Sequence, residues 1–255
     1  MPPRFSDTRR ITPGSPFLRG VSMLERWMIP GVFPFTLPMF DVTFEVDFPT
    51  PVTILAGENG SGKSTLLEAL AWLVGFGSQG GSRDHQFVAE PEMNALGRAL
   101  RPDWRQRVTS GFFLRAETFF NFASDLEDAG SLLTRNGGKS HHHMSHGEGF
   151  LALFEDRFED GLYILDEPEA ALSPQRQLAL LSIIHRLTAP RNAQFIIATH
   201  SPILMAFPGA TILSLDGETI RQVDYRETEH FKITRDFLAD PDRFFHYLFA
   251  DESGP

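Results

Sequence analysis

The sequence predicts an α/β fold with a mostly parallel central sheet flanked by helices. Short apolar segments suited to buried strands recur along the chain, namely "VTILA" at 52–56, "LYILD" at 162–166 and "QFIIA" at 194–198. Segments with leucine and isoleucine at helical spacing separate them. Strands that alternate with helices favour a parallel sheet covered on both faces. A third observation is the glycine-rich turn directly after the first of these strands, at 57–62.

The remaining elements fit one domain over residues 1–255. Residues from 1 to about 20 are rich in Pro, Arg and Ser and predict a loosely ordered lead-in. Asp41 to Phe48 alternates apolar and polar residues, which predicts a half-buried strand of an N-terminal antiparallel β element. Residues from about 76 to 160 change in pattern and predict a helical lobe inserted in the core. "TILSLDGETIRQV" predicts a hairpin, and the Phe-rich C-terminus predicts helices.

Composition excludes several classes of protein. The formal charge of −10 argues against a protein that coats nucleic acid by bulk electrostatics, and the absence of cysteine excludes disulfides and thiolate metal sites. Asn192 to Leu215 contains no charged residue, but Pro202, Pro208 and Gly209 break it into pieces too short to span a membrane. We therefore expect a cytoplasmic protein without a transmembrane segment.

The glycine-rich turn matches the phosphate-binding pattern Gly-x-x-x-x-Gly-Lys-Ser in full, between a predicted strand and a predicted helix. Its glycines allow backbone N–H groups to wrap a polyphosphate, and the helix that follows adds its positive dipole end. Lys63 is expected to reach the β- and γ-phosphates, and the Ser64 hydroxyl is expected to ligate Mg²⁺. The residues expected to bind ATP here are Gly57, Asn59, Gly60, Ser61, Gly62, Lys63, Ser64 and Thr65.

Two adjacent acids supply what a nucleoside triphosphatase needs besides this loop. Asp166 ends a buried strand, where it is expected to orient Mg²⁺ beside the phosphate loop. Glu167 follows it and is expected to polarise the attacking water. The alternative, two acids at an ordinary strand end, becomes improbable beside a complete phosphate loop.

Together with "ILDEPEAALSP" and "IIATHSP", the phosphate loop makes residues from about 40 to 215 resemble the ABC-type ATPases. The resemblance implies Mg²⁺-dependent ATP hydrolysis by a homodimer that sandwiches two ATP molecules. It also implies that His200 contacts the γ-phosphate. A histidine that merely caps a strand end is the alternative.

The resemblance further implies a signature loop that reaches the nucleotide of the opposite subunit. "MSHGEG" stands at the expected place, with Ser145 and Gly147 as the signature serine and second glycine. His146 and Glu148 depart from the family pattern. The family also has a glutamine that senses metal and water; no clear glutamine is present, and Glu117 is the nearest substitute.

The run "DEPEAALSP" resembles stand-alone ATPases near the RecF and OLD groups, which occur in DNA maintenance and phage defence, more than transporter subunits. An ATP-binding transporter subunit and a nucleotide-dependent DNA-binding or scaffold protein with little turnover remain as alternatives. A nucleic-acid or protein effector is also compatible with the sequence.

Three further clusters each allow two interpretations. The histidines at 141–143 and 146 are either a transition-metal site or a solvated, ATP-sensing loop. The arginines between Arg98 and Arg115 either contact nucleic acid or form surface ion pairs. The phenylalanines at 237, 244, 245 and 249 either dock a partner or, as phenylalanine usually does, pack in the core.

Overall fold

The computed structural model describes residues 14–76, 94–115 and 160–249, within which we number the elements. The strands are β1 (Leu18–Met23), β2 (Glu45–Asp47), β3 (Val52–Ala56), β4 (Leu100–Trp104), β5 (Gly111–Arg115), β6 (Gly161–Asp166), β7 (Ala193–Ala198), β8 (Thr211–Ser214) and β9 (Arg221–Val223). The α-helices are α1 (Lys63–Val74), α2 (Asn94–Ala99), α3 (Pro174–Thr188), α4 (Pro202–Met205), α5 (Glu229–Ala239) and α6 (Pro241–Leu248). Single 3-10 turns lie at Glu25–Trp27, Pro168–Ala171 and Tyr225–Glu227.

The central sheet has six strands in the order β5-β6-β7-β3-β8-β9. The first five run parallel, and only β9 is antiparallel, forming the predicted hairpin with β8. This arrangement confirms the α/β fold with a mostly parallel sheet. Strands β3, β6 and β7 are buried at every position, as continuous apolar runs require when helices cover both faces.

The register of the sheet brings distant segments to one edge. Asp166 at the end of β6 pairs with Ala198 of β7, and Ala198 also pairs with Leu55 of β3. Ala56 of β3 pairs with Ser214 of β8. The loops that follow these four strands therefore emerge together at the carboxyl edge, which is where open α/β sheets bind ligands.

A smaller antiparallel sheet, ordered β2-β1-β4, confirms the predicted N-terminal antiparallel element. The side chain of Gln194 in β7 joins it to the central sheet. Its Oε1 accepts the N–H groups of Phe17 and Leu18 at 2.7 and 2.9 Å, and its Nε2 donates to the Leu18 carbonyl at 2.8 Å. All the polar atoms of this buried amide side chain thus have partners, so it links the sheets without a desolvation penalty.

Three expected boundaries require correction. The strand expected over Asp41 to Phe48 begins only at Glu45, because the Asp41 carboxylate accepts hydrogen bonds from the N–H and hydroxyl of Thr43, at 2.8 and 2.7 Å, and forms a turn. β1 begins at Leu18, inside the segment expected to be loosely ordered. β4 and β5 lie inside the segment assigned to a helical lobe, yet each joins a core sheet.

Helix α1 packs in the core between the two sheets. Leu66, Leu67 and Leu70 are wholly buried there, as their helical spacing predicts. Burial of each such side chain contributes about 1.5–3 kcal/mol to stability. The helix therefore holds its N-terminal turn firmly against the carboxyl edge of the sheet.

The two C-terminal helices contradict the expected core placement of their phenylalanines. Neither α5 nor α6 has a buried residue, and Phe245 and Phe249 are 39% and 57% exposed. Phe237 instead packs edge-on against Phe244 and Phe245, which joins the two helices to each other. In the described ranges, no helix has the length and apolar character needed to cross a membrane.

Candidate nucleotide-binding site

The predicted phosphate loop connects β3 directly to α1 and lies at the carboxyl edge of the central sheet. Gly57, Gly60 and Gly62 all have positive φ, at 153°, 81° and 92°. Residues with a β-carbon rarely adopt these angles, so the loop needs glycine at these positions. Gly62 also precedes the first helical residue. Because glycine has no side chain, it cannot hydrogen-bond through a side chain to the N–H groups of the first helical turn.

Close contacts add a second requirement at Gly57. A β-carbon there would lie 2.8 Å from Ser61 Oγ and 3.1 Å from Asp216 Oδ1. Ser61 Oγ is itself buried and makes no hydrogen bond to any residue that the structure describes. A buried polar atom without a partner is costly, and an oxygen of a bound phosphate group would be a suitable partner for this hydroxyl. The loop therefore fits a polyphosphate.

Lys63 lies inside the loop, only 4% exposed. Its Nζ donates to the carbonyls of Gly57 and Glu58 at 2.6 and 2.9 Å. Burial lowers the pKa of the ammonium group, whereas the carboxylates of Glu167, Asp216, Asp166 and Glu58 act in the opposite direction. The loop thus contains one buried cation surrounded by acids.

Asp216 braces the start of the loop from the β8–β9 hairpin. Its Oδ1 accepts the backbone N–H of Glu58 at 2.8 Å, and its Oδ2 accepts the hydroxyl of Ser214 at 3.2 Å. The sequence assigned Asp216 only to the turn of a hairpin. The structure gives it a contact with the phosphate loop as well.

Asp166 ends β6 beside the helix start, with Ser64 Oγ 3.1 Å from its Oδ1. Burial raises the pKa of Asp166, and the Arg115 guanidinium, whose Nε lies 3.5 Å from Oδ2, opposes that rise. Arg115 also forms an ion pair with Glu68 of α1 at 2.5 Å. The two predicted metal ligands of the described residues, Ser64 and Asp166, are thus adjacent, and both offer the oxygen donors that Mg²⁺ prefers. The residues present therefore fit the metal.

Glu167 adopts a left-handed backbone conformation, with φ 49° and ψ 52°. A non-glycine residue held there costs about 1–3 kcal/mol and is typically found where function requires it. Its backbone N–H donates to the Ala198 carbonyl at 2.9 Å, which fixes the turn against β7. Its side chain remains 42% exposed, and Oε1 lies 3.4 Å from Nε2 of His200.

His200 follows β7 and is held at two points. Its backbone N–H donates to Oε1 of Glu169 at 2.6 Å, and its Nδ1 lies 2.7 Å from Nε2 of His230 in helix α5. Burial and the nearby Lys63 ammonium lower the pKa of His200, which favours the neutral imidazole. Burial also raises the pKa of Glu169. Sequence reasoning assigned no role to Glu169 or His230.

The structure thus brings the predicted loop residues, Asp166, Glu167 and His200 to one edge of the sheet. Asn59 and Gly60 are exposed at the outer turn of the loop, and Ser61, Ser64 and Thr65 are half-buried. Glu117, Ser145, Gly147 and the histidines at 141–143 and 146 lie outside the described residues.

Two family matches cover separate parts of this site. Residues 37–111, which contain the phosphate loop, match a family described as "AAA domain". Residues 149–206, which contain Asp166, Glu167 and His200, match one described as "AAA domain, putative AbiEii toxin, Type IV TA system". The first match thus covers the loop, and the second covers the facing acids and histidine.

Individual relatives are similar over different lengths. The DNA replication and repair protein RecF of Synechococcus sp. (strain JA-2-3B'a(2-13)) is 45% identical over 51 residues, which are 20% of this chain and 13% of RecF. The tungstate uptake system ATP-binding protein TupC of Campylobacter jejuni is 23% identical over 222 residues, which cover 75% of this chain and 66% of TupC. The chain thus spans less than two thirds of either relative.

Among solved structures, cbiO1 of Clostridium perfringens, part of the ABC transporter complex cbiONQ, superposes with a TM-score of 0.49 at 16% identity. The superposition covers 91% of this chain and 98% of cbiO1. The two family matches together cover a complete phosphate loop that faces an Asp-Glu pair and a histidine across one sheet edge. Together with the RecF-like segment, they support a P-loop ATPase of the ABC type near the RecF group.

Proposed function

We propose that this protein binds ATP and hydrolyses it with Mg²⁺. The observation that carries the proposal is the convergence of the phosphate loop, Asp166, Glu167 and His200 at the carboxyl edge of one sheet. Each group supplies a part that phosphoryl transfer to water requires: a phosphate cradle, a metal ligand, a base and a polar contact for the transferred group.

The phosphate loop binds the polyphosphate. Its glycine-dependent turns aim backbone N–H groups inward, and the first turn of α1 adds a positive dipole end. The buried Lys63 ammonium exchanges its two carbonyl contacts, with Gly57 and Glu58, for contacts with the β- and γ-phosphates. Because the cation is already desolvated and close to the loop, binding requires little reorganisation.

Ser64 and Asp166 hold Mg²⁺, and Glu117 is proposed as a further contributor. When bound, the metal neutralises the charge on the phosphate oxygens and orients them for attack. The Arg115 guanidinium opposes the rise that burial causes in the pKa of Asp166, because it attracts the charged carboxylate. An ionised carboxylate is the form that ligates a metal.

Glu167 accepts a proton from the attacking water. Its carboxylate is partly exposed to solvent, and the left-handed turn fixes its position. It also interacts electrostatically with Lys63 of the loop, so a water molecule between the carboxylate and the loop could lose its proton to Glu167. His200, neutral because of its lowered pKa, presents Nε2 on the same side and contacts the γ-phosphate.

The bound nucleotide also stabilises a dimer, because it lies between two copies of the chain and contacts both. A phosphate loop covers one face of a triphosphate, and in this proposal Ser145 and Gly147 of a second copy cover the other. Water would otherwise weaken electrostatic stabilisation at that open face. ATP therefore favours a homodimer, whereas ADP favours monomers.

Phosphate release from ATP by the purified chain tests hydrolysis. We expect turnover with Mg²⁺, and loss of turnover when EDTA removes the metal. Turnover that persists unchanged in EDTA would refute the proposed role of Ser64 and Asp166. Repeating the assay with DNA shows whether nucleic acid changes the rate of phosphate release. The RecF-like segment favours an ATPase that DNA stimulates.

Light scattering tests the dimer. Glu167→Gln protein with ATP and Mg²⁺ should form dimers, because it binds nucleotide without consuming it. Adding Ser145→Arg should abolish the dimer yet preserve ATP binding, since Ser145 serves the other subunit's site. Ser182→Arg, on an exposed position of α3, is the matched control and should leave the dimer intact. A Glu167→Gln protein that stays monomeric with saturating ATP would contradict this part of the proposal.

The similarity to TupC favours a second candidate, an ATP-binding subunit of a transport system. Stable co-purification with a membrane permease would support it over a stand-alone ATPase.

A further inference from the structure

A histidine pair extends the site from the sheet edge to the C-terminal helices. His230 lies in the first turn of α5, with its Nε2 2.7 Å from Nδ1 of His200 and the ring centroids 4.8 Å apart. We propose that His230 is a positioning residue, which donates a hydrogen bond to His200 and thereby holds its proton on Nε2. The inference rests on the proposed function, because it concerns the side chain proposed to contact the γ-phosphate.

Counting protons assigns the direction of this hydrogen bond. A neutral imidazole carries one N–H, so His200 can donate from Nδ1 or Nε2 but not from both. Nε2 of His200 is buried, makes no hydrogen bond within the described residues, and lies 3.4 Å from the Glu167 carboxylate oxygen. If this nitrogen were unprotonated, a lone pair would face a carboxylate, which is repulsive. The proton therefore belongs on Nε2, and Nδ1 must accept from His230.

The groups around His200 are consistent with this assignment. Lys63 of α1 and His230 of α5 disfavour a second proton on the ring, while Glu167 and Glu58 favour one. Glu169 contacts the backbone N–H of His200 and leaves both ring nitrogens untouched. His230 can donate from Nε2 whether its own ring is neutral or charged, so the assignment does not depend on its protonation.

The backbone and the ring of His200 have separate supports. Glu169 fixes the main chain after β7, whereas His230 is the described residue that hydrogen-bonds to the ring. His230 is itself fixed because Thr228 caps α5, accepting the Phe231 N–H at 3.3 Å and donating to the Tyr225 carbonyl at 2.6 Å. Without the His230 side chain, the His200 ring should therefore populate both tautomers, while the main chain at the end of β7 stays in place.

Substituting His230 with and without a donor tests the inference. In His230→Gln, the amide N–H takes the place of the Nε2 donor, whereas His230→Phe keeps a ring but has no donor. Nitrogen NMR of the full chain, with labelled histidine and the His200 signals assigned by their loss in His200→Gln, reports which nitrogen carries the proton. We expect the Nε2–H form in the wild type and in His230→Gln, and a mixture of both tautomers in His230→Phe.

Turnover provides the second measurement. Loss of a partner that orients a metal-ligating histidine typically costs 10–100-fold, and by the same physical reasoning we expect kcat of His230→Phe to fall by about tenfold. His230→Gln should return to within about threefold of the wild type, and KM for ATP should change little in either variant. His246→Phe in α6 makes the same substitution at an exposed histidine and should change nothing.

An unchanged His200 tautomer in His230→Phe would overturn the proposal, as would equal loss of turnover in the Gln and Phe variants. The NMR measurement needs no activity. A wild-type chain without turnover would therefore refute the proposed function and leave the tautomer result to decide the role of His230.

Discussion

The two sides of the site are built in different ways. We call residues 57–65 the phosphate floor, and we call the group of residues around Glu167 and His200 the hydrolytic rim. The rim comprises Asp166, Glu167, Glu169, His200 and His230. The floor is one contiguous segment, shaped by glycine conformations and closed by the first turn of a buried helix. The rim combines segments that are distant in sequence and meet only through the register of the sheet and the docking of α5.

Because the two sides are built differently, substitutions in them should have different effects. The floor depends on backbone geometry, and Lys63 provides its positive charge. The rim depends on hydrogen bonds made by side chains, since the Glu169 carboxylate accepts the backbone N–H of His200 and His230 contacts the ring of His200. Substitutions in the floor, and of the proposed metal ligand Asp166, should therefore affect nucleotide binding, whereas substitutions of the other rim residues should affect turnover.

The largest expected effect is that of Lys63→Ala in the floor. It removes the one cation that lies inside the loop, so ATP affinity should fall at least roughly tenfold, about 1.4 kcal/mol, and hydrolysis should be lost. Equilibrium binding of ATP and phosphate release measure the two effects. Lys232→Ala, on the exposed side of α5, is the matched control and should behave as the wild type. Full ATPase activity in Lys63→Ala would refute the role given to the floor.

A smaller effect is expected where the β8–β9 hairpin braces the floor. Asp216→Ala removes the acceptor of the Glu58 N–H and should weaken ATP binding by roughly three- to tenfold, the value of one hydrogen bond. Asp216→Asn keeps an oxygen at that position and should lose less. Because Asp216 contacts the floor and not the rim, we expect kcat at saturating ATP to change less than the affinity for ATP. An Asp216→Ala protein that binds ATP as tightly as the wild type would show that the contact is not needed.

The smallest effect concerns the pH dependence of stability at the rim. Burial raises the pKa of Glu169, so the folded chain binds this proton more tightly than the unfolded chain does. Its contribution to the free energy of unfolding therefore falls as pH rises through the range above its ordinary value of 4.5. Glu169→Gln removes that fall, because the amide does not titrate and still offers an acceptor to the His200 N–H.

Thermal unfolding at several pH values checks this prediction. The Tm of Glu169→Gln relative to the wild type should increase from pH 4 to pH 7, because only the wild-type chain loses stability as this carboxyl group ionises. Glu218→Gln, at an exposed position of the hairpin, should show no such trend. A Tm difference independent of pH would mean that Glu169 does not titrate with a raised pKa.

The same contrast explains what the sequence could predict. The floor follows from local rules, since its glycines, lysine and serine stand at fixed spacings between a strand and a helix. The mostly parallel sheet follows from the alternation of strands and helices, but its strand order and the rim contacts do not. No local pattern indicates that His230, thirty residues after His200, returns to contact it.

Local side-chain interactions also produced structures that the pattern of apolar residues did not predict. The alternation from Asp41 onward indicated a longer strand, but the Asp41 side chain bonds its own neighbouring backbone and forms a turn. The C-terminal phenylalanines pack against one another and not into the core, which composition alone does not distinguish.

We propose that the floor binds ATP and that the rim hydrolyses it. Measuring ATP affinity and turnover together in Glu167→Gln tests this division. The substitution preserves the shape of the side chain and removes the base. We expect affinity within about threefold of the wild type, whereas kcat falls by roughly 10²–10⁴-fold. Asp166→Asn in the same assay should instead weaken Mg²⁺-dependent binding. Loss of ATP binding in Glu167→Gln equal to that in Lys63→Ala, or turnover at the wild-type rate, would contradict the claim.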